Sequence, residues 1–329
     1  MARLLAVAIC QAAPIPLDIA AGIAKAAALA RDASANGARL VAFGETFLGG
    51  YPLWLDEAAG AALWNHPGTS ELHQIMLGQA VTSDDRRLQP LQEIADNTSM
   101  LISIGAHERV RSSLYNAQLL FRPGQSPLVH RKLVPTHGER LIWARGDGST
   151  LGVHAADWGR TGSLICWENW MPLARAAMHA QGVDVHVAAW PTVRDAYLVA
   201  SQHYAFEGRC HVLAAGTVQH RGDLLDGLER VGAGAAAREL ILQIPDRQLQ
   251  AGGSAIIAPD AQRLAGPAGA QAETLLAQID LDARGRALAA LDVDGHYSRP
   301  DIFSLTVNTT PQPGVRFSSD ESTGELDVR

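Results

Sequence analysis

The chain has 329 residues, 47% of them apolar and 19% charged, which is the balance of an ordinary globular protein and excludes a fibrous or largely disordered one. A net charge of −7 without a concentrated basic face argues against nucleic acid as a partner. Cys10, Cys166 and Cys210, the only three cysteines, are too few and too scattered for a disulfide framework or a zinc cage and point to a reducing cytoplasm.

Taken in order, the chain opens on "RLLAVAIC". It has the apolar run of a secretory leader, but Leu4 to Cys10 is short, one arginine precedes it and Gln11 follows, so it reads as a buried strand. The Ala-rich stretch from Ile19 predicts a helix ended by Gly37. "RLVAFGE" is a second strand, and Leu88, Leu91, Ile94 and Ala95 recur at helical spacing between Asp84 and Asn97. "MLISIGAHE" and "LYNAQLLF" are strands with no helix between them, which implies mixed sheets rather than a purely parallel one. "TGSLIC" is a strand running into a helix with Pro172 in its first turn. "VDVHVAAW", the helix "DAYLVASQHYAFEG", "HVLAAGT" and "SAIIAP" follow, and "TLLAQIDL" reads as the last central strand.

This alternation indicates α/β layers. Length alone suggests roughly two domains, but no linker or repeat divides the chain, so residues 1–309 read as one domain. Residues 219–253 resemble an insertion, with "RVGAGAAAREL" a helix or a flexible segment, and residues 310–329 form a polar, flexible tail. No apolar run approaches the ~20 residues of a membrane helix.

Three positions combine reactive groups with strand ends. Cys166 sits where a strand turns into a helix. There a thiol is exposed at the sheet edge and is expected to lose part of its ordinary pKa of ~8.5 to the helix end. The next N–H, from Trp167, would face an oxyanion. The same residue could equally be a small buried hydrophobe. Glu45 ends an apolar run, as a half-buried base with a raised pKa or as a solvated strand end. Lys132 is buried by alternation or lies on a basic surface edge. If buried it needs a carboxylate, and Glu45 and Glu139 are the candidates.

Together these stretches carry a resemblance. "VAFGETFLGGYP", "HRKLVPTHGERLIWARGDGS", "GSLICWENWMPLAR", "DVHVAAWP" and "GHYSRPDIF" are similar, in order, to motifs of the nitrilase family within the carbon–nitrogen hydrolase superfamily, and the likeness spans Leu4 to Asn308. Cys-Trp-Glu-Asn is characteristic of true nitrilases rather than amidases. The resemblance implies an αββα sandwich that pairs across a dimer, or in larger homo-oligomers, as αββα-αββα. It implies Cys166 as nucleophile, Glu45 as general base, Lys132 as stabiliser of the tetrahedral intermediate, and Glu139 as the group that holds the lysine or positions water. The implied reaction converts a small organic nitrile to a carboxylic acid and ammonia through a thioimidate and a thioester, with no metal or cofactor. None of the twelve histidines forms an HExxH pair. Neither nucleic acid nor membrane is an expected partner. Tyr51, Trp54, His137, Trp143 and Trp190 are candidate pocket residues, with core packing the alternative for the tryptophans. Two features depart from the family: Ala144 follows Trp143 where glycine is usual, and the short tail argues against long filaments. A hydratase stopping at the amide, an amidase or carbamoylase, and a non-enzymatic thiol sensor or silent scaffold are the competing readings.

Overall fold

The computed structural model describes residues 2–82 and 84–315. Two sheets stack face to face. One has eight strands, in the order Glu273–Asp280, Leu4–Gln11, Leu40–Ala42, Leu101–Val110, Leu48–Gly49, Ile15–Pro16, with Ser113–Arg122 and then Gln125–Arg131 added antiparallel from Leu101–Val110. The other has six, in the order Arg263–Ala265, Ala255–Ile257, His211–Ala215, Val185–Ala189, Gly159–Ile165, Val153–Ala156. Both mix parallel and antiparallel pairs, as the adjacent strands near residues 100 to 134 predict.

The layering follows from period-two alternation. Val7, Ile9, Leu40 and Ala42 point inward and meet Val185, Val187 and Leu213 of the second sheet, forming the core between the sheets. Their neighbours Ala8, Cys10, Val41 and Phe43 point outward and pack beneath the helices Ile19–Ala35 and Gln89–Thr98. On the opposite side Ala188, Val212 and Ala214 pack under Pro172–His179 and Asp195–Gly208. Helix, sheet, sheet, helix is the αββα sandwich. In the first helix Asp18 caps the start by accepting from the Ala21 N–H at 3.0 Å. Ile19, Ile23, Ala26, Ala27, Ala30 and Ala33 form its buried stripe. Gly37, at φ +86°, takes the left-handed step that ends it.

One reading changes and two are settled. "TLLAQIDL" is an edge strand: among the described residues Glu273–Asp280 pairs only with Leu4–Gln11, and only Leu275 and Ile279 of its eight residues are buried. The 219–253 region is ordered. Val218–His220 and Gln248–Ala251 pair antiparallel and bracket helices Arg221–Arg230 and Ala235–Leu242. The second of these helices is fixed by Glu71, which accepts from the Gly234 and Ala237 N–H groups. Ala144 adopts no left-handed backbone, so the missing glycine costs nothing there. The expected polar tail lies outside the described residues from 316 onward, and 310–315 are exposed. Among the described residues no helix is long and apolar enough to cross a membrane.

Candidate active site

The reactive side chains come from different sheets. Glu45 follows the strand Leu40–Ala42 and Lys132 follows Gln125–Arg131, both in the eight-stranded sheet. Cys166 follows Gly159–Ile165 in the six-stranded sheet. The Glu45 N–H donates to the Trp190 carbonyl at 3.0 Å and so ties the first strand end to the second sheet. Thr46, His137 and Cys166 have φ of +48°, +43° and +53°, a left-handed conformation costing a non-glycine residue roughly 1–2 kcal/mol. Three such residues at one locus mark a place where side-chain direction is held against backbone preference.

Lys132 is 1% exposed, and its ammonium donates to Glu45 Oε1 at 2.8 Å and to Glu139 Oε1 and Oε2 at 2.9 and 2.7 Å. Burial alone would discharge it, but the Glu45 and Glu139 carboxylates outweigh burial and hold the ammonium above its ordinary pKa. Glu139 is fixed at its other edge by the Tyr51 hydroxyl at 2.9 Å and the Thr136 N–H at 2.7 Å. Asn116 donates to Glu45 Oε1 at 2.6 Å, whereas the buried Oε2 finds no hydrogen-bond partner among the described residues. Burial pushes the Glu45 carboxyl up to about 7, with Lys132 opposing and Glu139 reinforcing the rise.

Cys166 departs from its expected chemistry. The helix begins at Pro172, and Cys166–Trp170 intervenes as a 3₁₀ turn, so no long helix end aims at the sulfur. Burial pushes the thiol well above its ordinary pKa, and the Glu45 and Glu139 carboxylates add to this. The Lys132 ammonium and the Trp167 N–H oppose it. Burial thus favours the protonated thiol over the thiolate at this position.

A cavity of about 480 Å³ opens onto Cys166. Tyr51, His137, Glu139 and Trp167 line it, as do Leu53, Thr192, Arg194, Tyr197, Leu249 and Gln250. Glu45 and Lys132 are not in its wall and meet it through Glu139 and Tyr51. Trp54 and Trp190, expected as pocket residues, belong to the core: Trp54 packs with Leu72 and Leu240, and Trp190 donates to Ser201 and stacks on Tyr197. Trp143 is likewise buried and donates to His107. Sequence reasoning passed over Asn116, whose signal was one of two amides, with Gln118, inside the apolar strand "LYNAQLLF". It also passed over Leu249 and Gln250, which the inserted hairpin delivers. The described residues hold no cluster of histidine, cysteine and carboxylate suited to a metal ion.

The family model of the carbon–nitrogen hydrolases matches residues 6–287. An aliphatic nitrilase of Sinorhizobium fredii is 37% identical over 308 residues, covering 94% of this chain and 97% of the relative. A nitrilase of Bradyrhizobium diazoefficiens is 40% identical over 311 residues, 94% of this chain and 93% of its own. Among solved structures, a carbon–nitrogen hydrolase of Helicobacter pylori superimposes with a TM-score of 0.63 at 17% identity, over 90% of this chain and 97% of that one, a likeness of fold.

Proposed function

The chain belongs to the nitrilase family of carbon–nitrogen hydrolases, and we propose that it hydrolyses a small organic nitrile to the carboxylic acid and ammonia. The observation that carries the mechanism is the sealed cluster beside Cys166. It comprises one ammonium between two carboxylates, a base with a free oxygen, and a protonated thiol.

In this reading Glu45 takes the Cys166 proton through its unpartnered Oε2. Its pKa of about 7 suits it to exchange protons near neutrality. The sulfur attacks the nitrile carbon, and the nitrogen takes the proton back to leave a thioimidate. Water adds, ammonia departs and a thioester remains. A second water cleaves it to the acid, so that R–C≡N and two waters give R–COOH and NH₃. Lys132 and the Trp167 N–H offset the charge of each tetrahedral species, and Glu139, braced by Tyr51, keeps Lys132 in place. Tyr51, His137 and Trp167 would contact substrate, with no cofactor needed. Trp54 and Trp190 would support the wall from the core.

We read residues 1–309 as one catalytic domain, in keeping with the single family match, and the cytoplasm as its compartment, in keeping with three free cysteines. A homodimer or larger homo-oligomer is supported by the exposed apolar side chains of the late segment, Tyr297 at 61% and Phe303 at 76%. Light scattering of active enzyme tests this, and a fully active monomer contradicts it. A nitrile panel assayed for both ammonia and amide tests the reaction. Acid with stoichiometric ammonia is expected. Amide alone would indicate a hydratase, and no product from any nitrile would sink the reading.

A further inference from the structure

We propose that Glu168 is a positioning residue that sets the separation of Cys166 and Lys132 across the two sheets. The inference rests on the reading of those two residues as a catalytic pair. Glu168 is 1% exposed and lies outside the cavity wall, so it does not meet substrate. Its Oε1 accepts from the Leu133 N–H at 2.6 Å, and its Oε2 accepts from the Ile165 N–H at 2.7 Å. Leu133 is the residue after Lys132, and Ile165 is the residue before Cys166. A single carboxylate thus binds the backbone flanking both groups, one on each sheet.

His130 completes the clamp. Its Nε2 donates to Glu168 Oε2 at 2.9 Å and its Nδ1 donates to the Thr150 carbonyl at 3.1 Å. Both partners are acceptors, so both ring nitrogens carry protons and the ring is an imidazolium. Burial alone would protonate Glu168, but His130 and the two N–H groups outweigh it and hold the carboxyl below its ordinary value. The three bonds to Glu168 are short, and each lies within a residue or two of a reacting group. A shift of about 1 Å between sulfur and ammonium is enough to cost roughly a hundredfold in rate.

Glu108 supplies the control. It is equally buried and bonds the Arg131 guanidinium at 2.6 and 2.8 Å, but its carboxylate holds one side chain and does not bridge the backbone beside Lys132 to that beside Cys166. The experiment compares Glu168→Gln, His130→Leu, His130→Gln and Glu108→Gln on the nitrile that wild type turns over fastest, with rates normalised to titrated Cys166. Glu168→Gln keeps the shape but turns an NH₂ toward an N–H, so its kcat is expected to fall about 10- to 100-fold, with KM within about threefold. His130→Leu is expected to lose about tenfold in kcat and His130→Gln, which restores a donor to Glu168, to regain most of it. Glu108→Gln is expected to lower stability and leave kcat per site unchanged. Iodoacetamide alkylation of Cys166 is expected to slow in the same order and needs no nitrile turnover. Retention of kcat and alkylation rate by Glu168→Gln, or a loss confined to KM or matched by Glu108→Gln, overturns the proposal. If Glu168→Gln yields no folded protein, equal rates in the two His130 variants overturn it. A wild type that alkylates readily but hydrolyses no nitrile defeats the reaction assignment and leaves the alkylation series to judge the clamp.

Discussion

Replacing Lys132 by arginine keeps the charge and changes only its geometry. In the structure one compact ammonium makes three bonds of 2.7 to 2.9 Å to oxygens of two carboxylates, with no solvent exposure of the side chain. Three tetrahedral donors fit that arrangement, whereas a guanidinium presents a flat fork on a longer side chain and cannot point at Glu45 and Glu139 in the same way. The fork must displace at least one carboxylate by about 1 Å, and such a displacement costs roughly a hundredfold in rate. Moving the positive charge away from the developing anion costs a similar ~10²–10³. Lys132→Arg is therefore expected to fold but to lose at least ~100-fold in kcat, or about 2.7 kcal/mol of transition-state stabilisation. Arg131→Lys is the companion. It gives up one of two bonds to Glu108, away from the cavity, and is expected to keep kcat within about threefold at a cost near 1 kcal/mol in stability. Steady-state kinetics of both on one nitrile decides the matter. Near-native turnover by Lys132→Arg would remove Lys132 from the catalytic centre.

Cys166→Ala is expected to abolish turnover, while Cys10→Ala and Cys210→Ala keep most of it, because burial pushes both of those thiols up to about 12 and neither lines the cavity. The acid limb of kcat/KM is expected near pH 7 rather than in the usual carboxylate range. Glu45 accepts a proton only when ionised, so activity is present above about 7 and lost as pH falls through it; a flat profile down to about pH 5 would contradict this. Gly105→Ala drives a methyl into the Thr46 N and to 2.7 Å from the Glu45 carbonyl carbon. The overpacking should lower stability by about 1–3 kcal/mol and also lower kcat, because the displaced backbone carries the base. A loss of stability without loss of kcat, read by denaturant titration beside kinetics, would mean that the Glu45 backbone does not need its present position.

The sheets were legible because burial on both faces demands continuous apolar runs such as "LLAVAIC" and "VHVAA", and the first helix because alanines repeat at helical spacing between a cap and Gly37. The edge position of Glu273–Asp280 was not, since an apolar run does not say whether one neighbour or two will pair with it. Helix Pro67–Gln79 carries little periodicity: Leu72 and Met76 are its only large buried apolar residues, and Glu71 ties it to the helix that follows Gly234. At the site, the lysine's need for a carboxylate named Glu45 and Glu139 in advance, and the structure brings all three together with Cys166. The state of the thiol was misjudged because the sequence shows a proline-led helix nearby but not the intervening 3₁₀ turn or the depth of burial. Tryptophans mark large apolar surface without telling core from pocket, which is why Trp54 and Trp190 fell on the wrong side.

The most direct test of the account is the mass of the enzyme during turnover. With a nitrile labelled at the cyano carbon, rapid acid quench and tryptic digestion should give peptide 161–175 carrying the acyl or imidate mass on Cys166, formed and lost at rates that support kcat. Cys166→Ala should carry none. Turnover without any such adduct, or an adduct on Cys10 or Cys210 instead, would contradict covalent catalysis at Cys166.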